Sequence, residues 1–248
     1  MLRKTTAPRR FTGVLLDIDG TLLDSNDAHA QSWVEVLRRH GYDMPFERVR
    51  PLIGKGTDKL LPELTGLDPE TGLGKQMAEE RKALFLRDYL PKLHPTRGAR
   101  ALVERLRREG FRLVVATSAG GEELTLLLRQ AQVEDLIDQA TTSDEVERSK
   151  PDPDVVCAAL AKGKLRPENS IMLGDTPYDI EAAGRAGVAT IALRCGGWWN
   201  DNALAGALAI YDDPAALLAD FERSPLAGGA TSRFLSFQMI NRRARPRL

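Results

Sequence analysis

Residues 13–21 read Gly-Val-Leu-Leu-Asp-Ile-Asp-Gly-Thr, an apolar run that ends in two carboxylates. Uninterrupted apolar runs suit the central strands of a parallel sheet, which are buried on both faces. Three further runs have this character, at residues 113–116, 171–174 and 190–193. The sequence therefore predicts four buried strands, and three of them lead directly into polar residues.

Helical patterns separate these runs. Apolar residues recur at helical spacing over 99–106, 124–128 and 155–160. Strands that alternate with helices are typical of α/β proteins, so the sequence predicts a doubly wound, Rossmann-like parallel sheet.

Residues 24–95 interrupt this alternation, because they contain helical patterns and no good strand. Asn26 or Asp27 can cap a first helix that ends at Gly41, and a second helix is expected at about 74–90. Open α/β sheets bind ligands at the carboxyl edge of their strands. A helical insertion directly after the first strand is therefore expected to lie over that edge.

These patterns divide the chain into domains. The predicted parts are a core at 11–23 and 96–222, a helical cap at 24–95, and flexible tails at 1–10 and 224–248. The second tail has no acidic residue, which favours a solvated segment. Hinges for movement of the cap are expected near 23–24 and 92–96.

The composition limits the classes of function. The chain has 35 basic and 35 acidic residues, so its net charge steers it toward neither nucleic acid nor a membrane surface. No stretch approaches the roughly twenty consecutive apolar residues of a membrane span. Cys157 and Cys195 are too few for a disulfide scaffold. We expect a cytoplasmic protein that acts on a small molecule.

Asp17 and Asp19 stand two residues apart where the first strand ends. A carboxylate can attack phosphorus to form an acyl phosphate, and a second carboxylate can protonate the leaving alkoxide and later activate water. Gly20 would let the backbone turn tightly past the phosphoryl group. The same letters also suit an ordinary Asp-Gly turn, so this motif alone leaves the choice open.

The next two polar sites favour phosphate binding. Thr117, Ser118 and Ala119 follow the second predicted strand and precede a helix, where a hydroxyl and free amides can hold phosphoryl oxygens. Lys150 lies between Ser149 and Pro151, and the neighbouring prolines would aim its ammonium group. Taken singly, a helix cap and a solvated lysine explain these residues equally well.

Asp175 and Asp179 follow the third predicted strand at the start of a helix. Hard oxygen ligands of this kind suit Mg²⁺, although acidic residues also stabilise the first turn of a helix. Four strand ends in one sheet would thus supply a nucleophile, a hydroxyl, a cation and metal ligands. This combination indicates an enzyme site.

The motifs at residues 17–21, 117, 150 and 174–179 together resemble the haloacid dehalogenase superfamily, over roughly residues 11–212. The resemblance is to its phosphatase branch with a helical cap after the first motif. It implies that Asp17 is the nucleophile and Asp19 the general acid and base.

The resemblance also implies a Mg²⁺ site. The metal would be held by the Asp17 and Asp175 carboxylates and the Asp19 main-chain carbonyl, with Asp179 close by, directly or through water. Thr117 and the neighbouring amides, including those of Ser118 and Ala119, would bind the phosphoryl oxygens. Lys150 would offset charge around Asp17.

The predicted function is a Mg²⁺-dependent phosphatase for a small phosphomonoester of the phosphoglycolate or sugar phosphate class. A β-phosphoglucomutase-type phosphomutase is the alternative, since His29 lies in the first cap helix where such mutases carry a histidine. A receiver-type signalling domain uses similar groups, but its acceptor aspartate normally ends the strand that here leads to Thr117. The oligomeric state is left open.

The cap is expected to determine the substrate. Lys55 lies in a glycine-containing loop at residues 53–58 and can contact substrate together with His29, or it can be an exposed turn lysine. Arg48 and Arg50 are further candidates, which we interpret as solvated side chains.

Overall fold

The computed structural model describes residues 10–227 and is organised around a parallel sheet in the order β3-β2-β1-β4-β5-β6. The strands are β1 Gly13–Leu16, β2 Arg112–Ala116, β3 Gln139–Thr141, β4 Ser170–Gly174, β5 Ala189–Leu193 and β6 Ala209–Tyr211. All neighbouring pairs are parallel. The predicted doubly wound fold is confirmed, and the four apolar runs form β1, β2, β4 and β5.

Strands β3 and β6 were not predicted. Each has three residues, and neither is an apolar run buried on both faces, because both lie at the edges of the sheet. Short edge strands carry little of the hydrophobic pattern that identifies a central strand.

Helices cover both faces of the sheet. The helices are α1 Asn26–Arg39, α2 Phe46–Val49, α3 Thr57–Thr65, α4 Gly72–Leu84, α5 Ala99–Arg108, α6 Gly121–Gln130, α7 Asp154–Gly163, α8 Pro177–Arg185 and α9 Pro214–Ala219. Leu15 and Val114 face the apolar cluster that contains α7 and α8. Val14 and Val115 face the opposite cluster, which contains α5, α6 and α9. Side chains alternate along a strand, so the central strands contribute to both layers.

Helices α1 to α4 lie between β1 and α5 and have an apolar cluster of their own, which includes Trp33, Leu61 and Met77. We call residues 26–92 the inserted helices. The chain leaves and re-enters the sheet through two adjacent connections, joined by the Leu23–Pro95 bridge. A backbone hydrogen bond of 3.0 Å from Asp24 N to His94 O also joins them.

Three local predictions need correction. The first inserted helix starts at Asn26 after Ser25, and no side chain caps it. The second ends at Leu84 and continues as a π-helical turn, Phe85–Tyr89, in which Tyr89 is only half-buried. Pro225–Ala227 forms a short, largely buried turn, so the predicted tail does not start at 224. Residues 1–9 and 228–248 of the predicted tails lie outside the described residues.

The described residues contain neither a membrane-spanning helix nor a disulfide. Within residues 10–227, no helix combines the length and apolar character needed to cross a bilayer. Cys157 is exposed and Cys195 is half-buried, and both are free thiols.

We expect Leu15→Ala to lower the free energy of unfolding by about 3 kcal/mol, because Leu15 is fully buried in the central strand. Leu126→Ala, in the exposed part of α6, should cost less than about 0.5 kcal/mol. Urea unfolding of the two variants measures the difference. An equal decrease in the free energy of unfolding for both variants would contradict the assignment of β1 to the centre of the core.

Candidate active site

The site lies where the strand order reverses, between β1 and β4. Leu16 pairs with Leu173, so Asp17 and Asp175 leave the sheet side by side. The amide of Asp17 continues the ladder by donating to the Leu173 carbonyl at 3.0 Å. A reversal of strand order opens a crevice at the carboxyl edge, and this is the place where doubly wound sheets bind ligands.

Lys150 joins two of the predicted carboxylates. Its Nζ lies 2.6 Å from Asp17 Oδ1 and 2.7 Å from Asp179 Oδ1, and the residue is 1% exposed. Burial acts to lower the pKa of Lys150, but the charges and hydrogen bonds of Asp17 and Asp179 outweigh it and raise the pKa. The lysine is therefore a fixed, charged group of the site, unlike a solvated surface lysine.

Asp17, Asp175 and Asp179 form a buried group whose oxygens lie within 4.8 Å of one another. Burial raises the pKa of Asp17 to about 7, against the opposing effect of Lys150. Burial and the neighbouring carboxylates also raise the pKa of Asp175. Three carboxylates facing one ammonium leave two excess negative charges. Oxygen donors with this excess fit a hard divalent cation.

Asp175 is held from several sides. Thr21 Oγ1 donates to Asp175 Oδ1 at 3.1 Å, and Asn26 Nδ2 donates to Asp175 Oδ2 at 2.8 Å. Gly20 has a φ of +74°, and a Cβ at this position would lie 2.4 Å from Asp175 Oδ2. A Cβ at Gly196 would lie only 1.8 Å from the same oxygen. Gly20 thus serves both the predicted turn and the close packing around Asp175.

Asp179 has a structural role beside its contact with Lys150. It accepts hydrogen bonds from Thr176 N at 3.1 Å and Thr176 Oγ1 at 2.7 Å. The bond from Thr176 N and the reciprocal bond from Asp179 N to Thr176 Oγ1, at 3.2 Å, form a capping box at the start of α8, where Pro177 occupies the first turn. The helix start therefore fixes the carboxylate that faces Lys150.

Asp19 faces the inserted helices. Ser25 Oγ donates to Asp19 Oδ1 at 2.5 Å, and His29 Nε2 lies 2.8 Å from the same oxygen. Burial acts to raise the pKa of Asp19, but His29 and Ser25 outweigh it and lower the pKa. Asp19 belongs to the sheet edge, yet its hydrogen bonds come from the connection to α1 and from α1 itself.

Arg81 fixes the tautomer of His29. Arg81 Nη2 lies 3.4 Å from His29 Nδ1, and because a guanidinium can only donate, Nδ1 accepts. His29 Nε2 therefore carries the hydrogen that points to Asp19. Arg81 in turn pairs with the buried Glu123 of α6 at 3.2 Å. This chain of four side chains links the inserted helices to the sheet edge at Asp19 and to α6 at Glu123.

The predicted phosphoryl cradle lies at the end of β2. Thr117 is buried, and its Oγ1 accepts a hydrogen bond from Ala119 N at 3.1 Å. Ser118 Oγ is buried without a hydrogen-bond partner. Thr117, Ser118 and Ala119 all line the cavity that contains Asp17. In this arrangement the Ala119 amide is occupied by Thr117, and the Ser118 hydroxyl has no hydrogen-bond partner among the described residues.

The candidate residues of the inserted helices occupy different environments. His29 lines the cavity and stacks on Phe85, with ring centroids 3.9 Å apart. Lys55 also lines the cavity, but its ammonium pairs with Glu63 and lies 5.1 Å from the centre of the Tyr178 ring. Arg48 is exposed, as predicted.

The interpretation of Arg50 as a solvated side chain is wrong. Arg50 is 1% exposed, donates to Asp27 Oδ1 at 2.6 Å and donates to the Gly196 carbonyl. Its guanidinium also lies 5.8 Å from the centre of the Trp198 ring. Asp27 belongs to α1, and the loop at 194–199 supplies the other two partners. Nothing near Arg50 in the sequence indicates that it packs there.

Two further contacts beside Lys150 were not predicted. Asp58 accepts hydrogen bonds from Ser149 Oγ and from Ser149 N. Lys59 pairs with Asp152 at 2.8 Å. The start of α3 is thus attached to the loop that carries Lys150. The pairing of Asp58 with Ser149 is a long-range contact that local sequence patterns cannot indicate.

Comparisons with known proteins agree with this geometry. The family model described as haloacid dehalogenase-like hydrolase matches residues 14–193, which include every strand-end residue discussed above. A phosphoglycolate phosphatase from Nitrosospira multiformis is 34% identical over 188 residues, covering 73% of this chain and 82% of that protein. A pyrophosphatase PpaX from Anoxybacillus flavithermus is 30% identical over 182 residues, with 73% and 82% coverage.

A solved structure is similar as well. The crystal structure of a hydrolase from Pseudomonas syringae superposes with a TM-score of 0.79 at 27% identity, covering 86% of this chain and 98% of that one. The sheet order, the strand-end residues and these matches lead to one conclusion. The chain belongs to the haloacid dehalogenase-like hydrolase family.

Proposed function

We propose that this protein is a Mg²⁺-dependent phosphatase that hydrolyses a small phosphomonoester through an aspartyl-phosphate on Asp17. The observation that carries the proposal is the position of Lys150 Nζ, 2.6 Å from a buried Asp17 that belongs to a group of three carboxylates. The substrate class is that of phosphoglycolate or the sugar phosphates. Relatives named phosphoglycolate phosphatase and pyrophosphatase support phosphate chemistry.

The first step is attack by Asp17. A carboxylate oxygen of Asp17 forms a bond to phosphorus, the bond from phosphorus to the alkoxide breaks, and Asp19 donates a proton to the leaving oxygen. Lys150 stays protonated, because its two carboxylate partners raise its pKa. It lowers the repulsion between Asp17 and the phosphate, and Thr117 and Ser118 hold the phosphoryl oxygens.

The second step regenerates the enzyme. Asp19, now a carboxylate, accepts a proton from water as the water oxygen bonds to phosphorus. The bond from phosphorus to the Asp17 oxygen then breaks and phosphate leaves. The contacts with Ser25 and His29 lower the pKa of Asp19 and so keep it ionised, as a group that accepts a proton must be. For the acid role, Asp19 must first gain a proton.

Asp17, Asp175 and Asp179 are the side chains that would hold Mg²⁺, together with the Asp19 main-chain carbonyl. When bound, the ion supplies positive charge that draws the phosphate toward Asp17. The raised pKa values of Asp17 and Asp175 support this assignment, because burial beside other carboxylates disfavours their charged forms unless a cation balances them.

The inserted helices act as a cap in this proposal. Their separate apolar cluster and the two adjacent connections near Leu23 and Pro95 support movement as a unit, with hinges at 23–24 and 92–96. Closure would limit water in the site, and opening would admit substrate.

A phosphomutase is the second candidate, because His29 Nε2 lies 2.8 Å from Asp19. A mutase returns the phosphoryl group to sugar, and a histidine beside the acid and base could serve that transfer as well as hydrolysis. Incubation with hexose 1- and 6-phosphates distinguishes them: interconversion without phosphate release would make the protein a mutase. Family membership removes the receiver-type alternative.

We expect Asp17→Asn to lower phosphate release by at least about 10⁴-fold, because the amide cannot form the acyl phosphate. Circular dichroism should be unchanged, since the substitution removes a buried charge without changing shape. Asp43→Asn makes the same chemical change at a highly exposed side chain and should leave turnover unaltered. Retained turnover in Asp17→Asn would exclude Asp17 as nucleophile.

We expect Gly196→Ala to weaken Mg²⁺ binding by about tenfold or more, because its Cβ would displace the Asp175 carboxylate. Gly184→Ala is the matched control, since a Cβ there meets nothing within 4 Å. Isothermal titration calorimetry measures the Mg²⁺ affinity of both variants. Unchanged Mg²⁺ affinity in Gly196→Ala would show that Asp175 does not bind the metal.

We expect Mg²⁺ to raise the melting temperature more at about pH 8 than at about pH 5.5. Folding raises the pKa of Asp17 from 3.8 to about 7. A carboxyl group with a raised pKa stabilises the fold below its ordinary pKa, and this stabilisation is lost as the pH rises through the folded value. Metal-free protein should lose stability across that range. A rise in melting temperature with Mg²⁺ that is independent of pH would contradict the binding of Mg²⁺ by Asp17.

A further inference from the structure

The cavity above Asp17 is large for a phosphatase of two-carbon acids. It measures about 670 Å³, with Asp17 and Asp19 at one end and α3, α4 and the loop at 143–149 around the rest. Ligand cavities of roughly 300–1,000 Å³ enclose molecules far larger than glycolate. The volume therefore leaves room for a bulkier leaving group.

Most cations of the cavity wall are already paired. Lys55 pairs with Glu63, Arg81 pairs with Glu123 at 3.2 Å, and Lys82 pairs with Glu122 at 2.9 Å. Among the described lining residues, Lys75 is the cation without an ion pair, and it is exposed. The wall therefore offers little free positive charge to a carboxylate or phosphate on the leaving group.

Most acidic residues of the cavity wall, unlike its cations, are not in ion pairs. Five lining carboxylates, all exposed like Lys75, have no cationic partner within residues 10–227: Asp58, Glu70, Glu79, Asp144 and Glu147. Asp58 and Asp144 accept hydrogen bonds from Ser149 N at 3.2 Å and Gly121 N at 2.7 Å, and a carboxylate has further lone pairs to offer. The wall is therefore rich in free carboxylate acceptors and poor in free cations.

We propose that the leaving group of the substrate is uncharged and rich in hydroxyls, as in a sugar or polyol phosphate, and that leaving groups bearing a carboxylate or phosphate are rejected. This inference rests on the proposed function. Hydroxyls donate to the free carboxylates, whereas a second anion meets like charge and finds no free cation except Lys75. At the Asp17 end, Lys150 is already paired with Asp17 and Asp179, so it offers no free positive charge to a second anion.

Matched substrates test the proposal. Glycerol 3-phosphate and 3-phosphoglycerate differ by a hydroxymethyl group in place of a carboxylate, and glucose 6-phosphate and 6-phosphogluconate provide a larger pair. With Mg²⁺ present, kcat/KM should favour the member without the carboxylate by about tenfold or more in each pair. Equal or reversed values in both pairs would overturn the proposal.

The generic substrate 4-nitrophenyl phosphate separates two kinds of failure. If it is hydrolysed with dependence on Asp17 while the pairs show no preference, the inference fails and the proposed function stands. If none of the five compounds is hydrolysed or converted, the proposed function fails, and this inference fails with it.

A charge reversal tests whether the wall itself discriminates. Glu79→Lys, on the exposed side of α4 within the cavity, should lower the preference at least about threefold, chiefly by lowering KM for the carboxylate-bearing member. Glu47→Lys makes the same change at an exposed residue of α2 that does not line the cavity, and it should leave the ratio unchanged. Equal shifts in both variants would contradict recognition by the cavity wall.

Discussion

The buried ammonium of Lys150 is the interaction on which the rest of the site depends. It lies within 2.7 Å of Asp17 and Asp179, and removing it would leave these carboxylates without a counter-charge in the protein interior. One ammonium cannot balance three carboxylates, so the same arrangement that requires Lys150 also favours a divalent cation. The loop that carries Lys150 is held in turn by the contact between Ser149 and Asp58.

The two aspartates of the first motif have different partners, and this division suits their proposed roles. Asp17 is bonded to Lys150 and to the backbone of β4, which lie outside the inserted helices. Asp19 is bonded to Ser25 and His29, and His29 is fixed by Arg81. Opening of the inserted helices would move His29 and Arg81, and so would change the environment of Asp19, whereas the direct partners of Asp17 belong to the core.

Much of this could be predicted from the sequence, because central strands are apolar and their ends carry the polar residues. The runs before Asp17 and Asp175 were predicted as strands of one sheet, and the structure places them side by side. Residues whose environment is set by distant segments could not be predicted: Arg50 is buried by the loop near Gly196, and Arg81 reaches His29 and Glu123 from another helix. Asn26 was expected to cap a helix, yet its side chain binds Asp175, which follows a strand far along the chain.

The central claim is that the phosphoryl group passes through Asp17. The most direct measurement is peptide mass spectrometry of enzyme quenched in acid during turnover, with borohydride reduction to trap an acyl phosphate. The account predicts one phosphoryl group, or the homoserine formed by its reduction, at Asp17, and neither product in Asp17→Asn. Continued phosphate release by enzyme that never carries either product at Asp17 would contradict it.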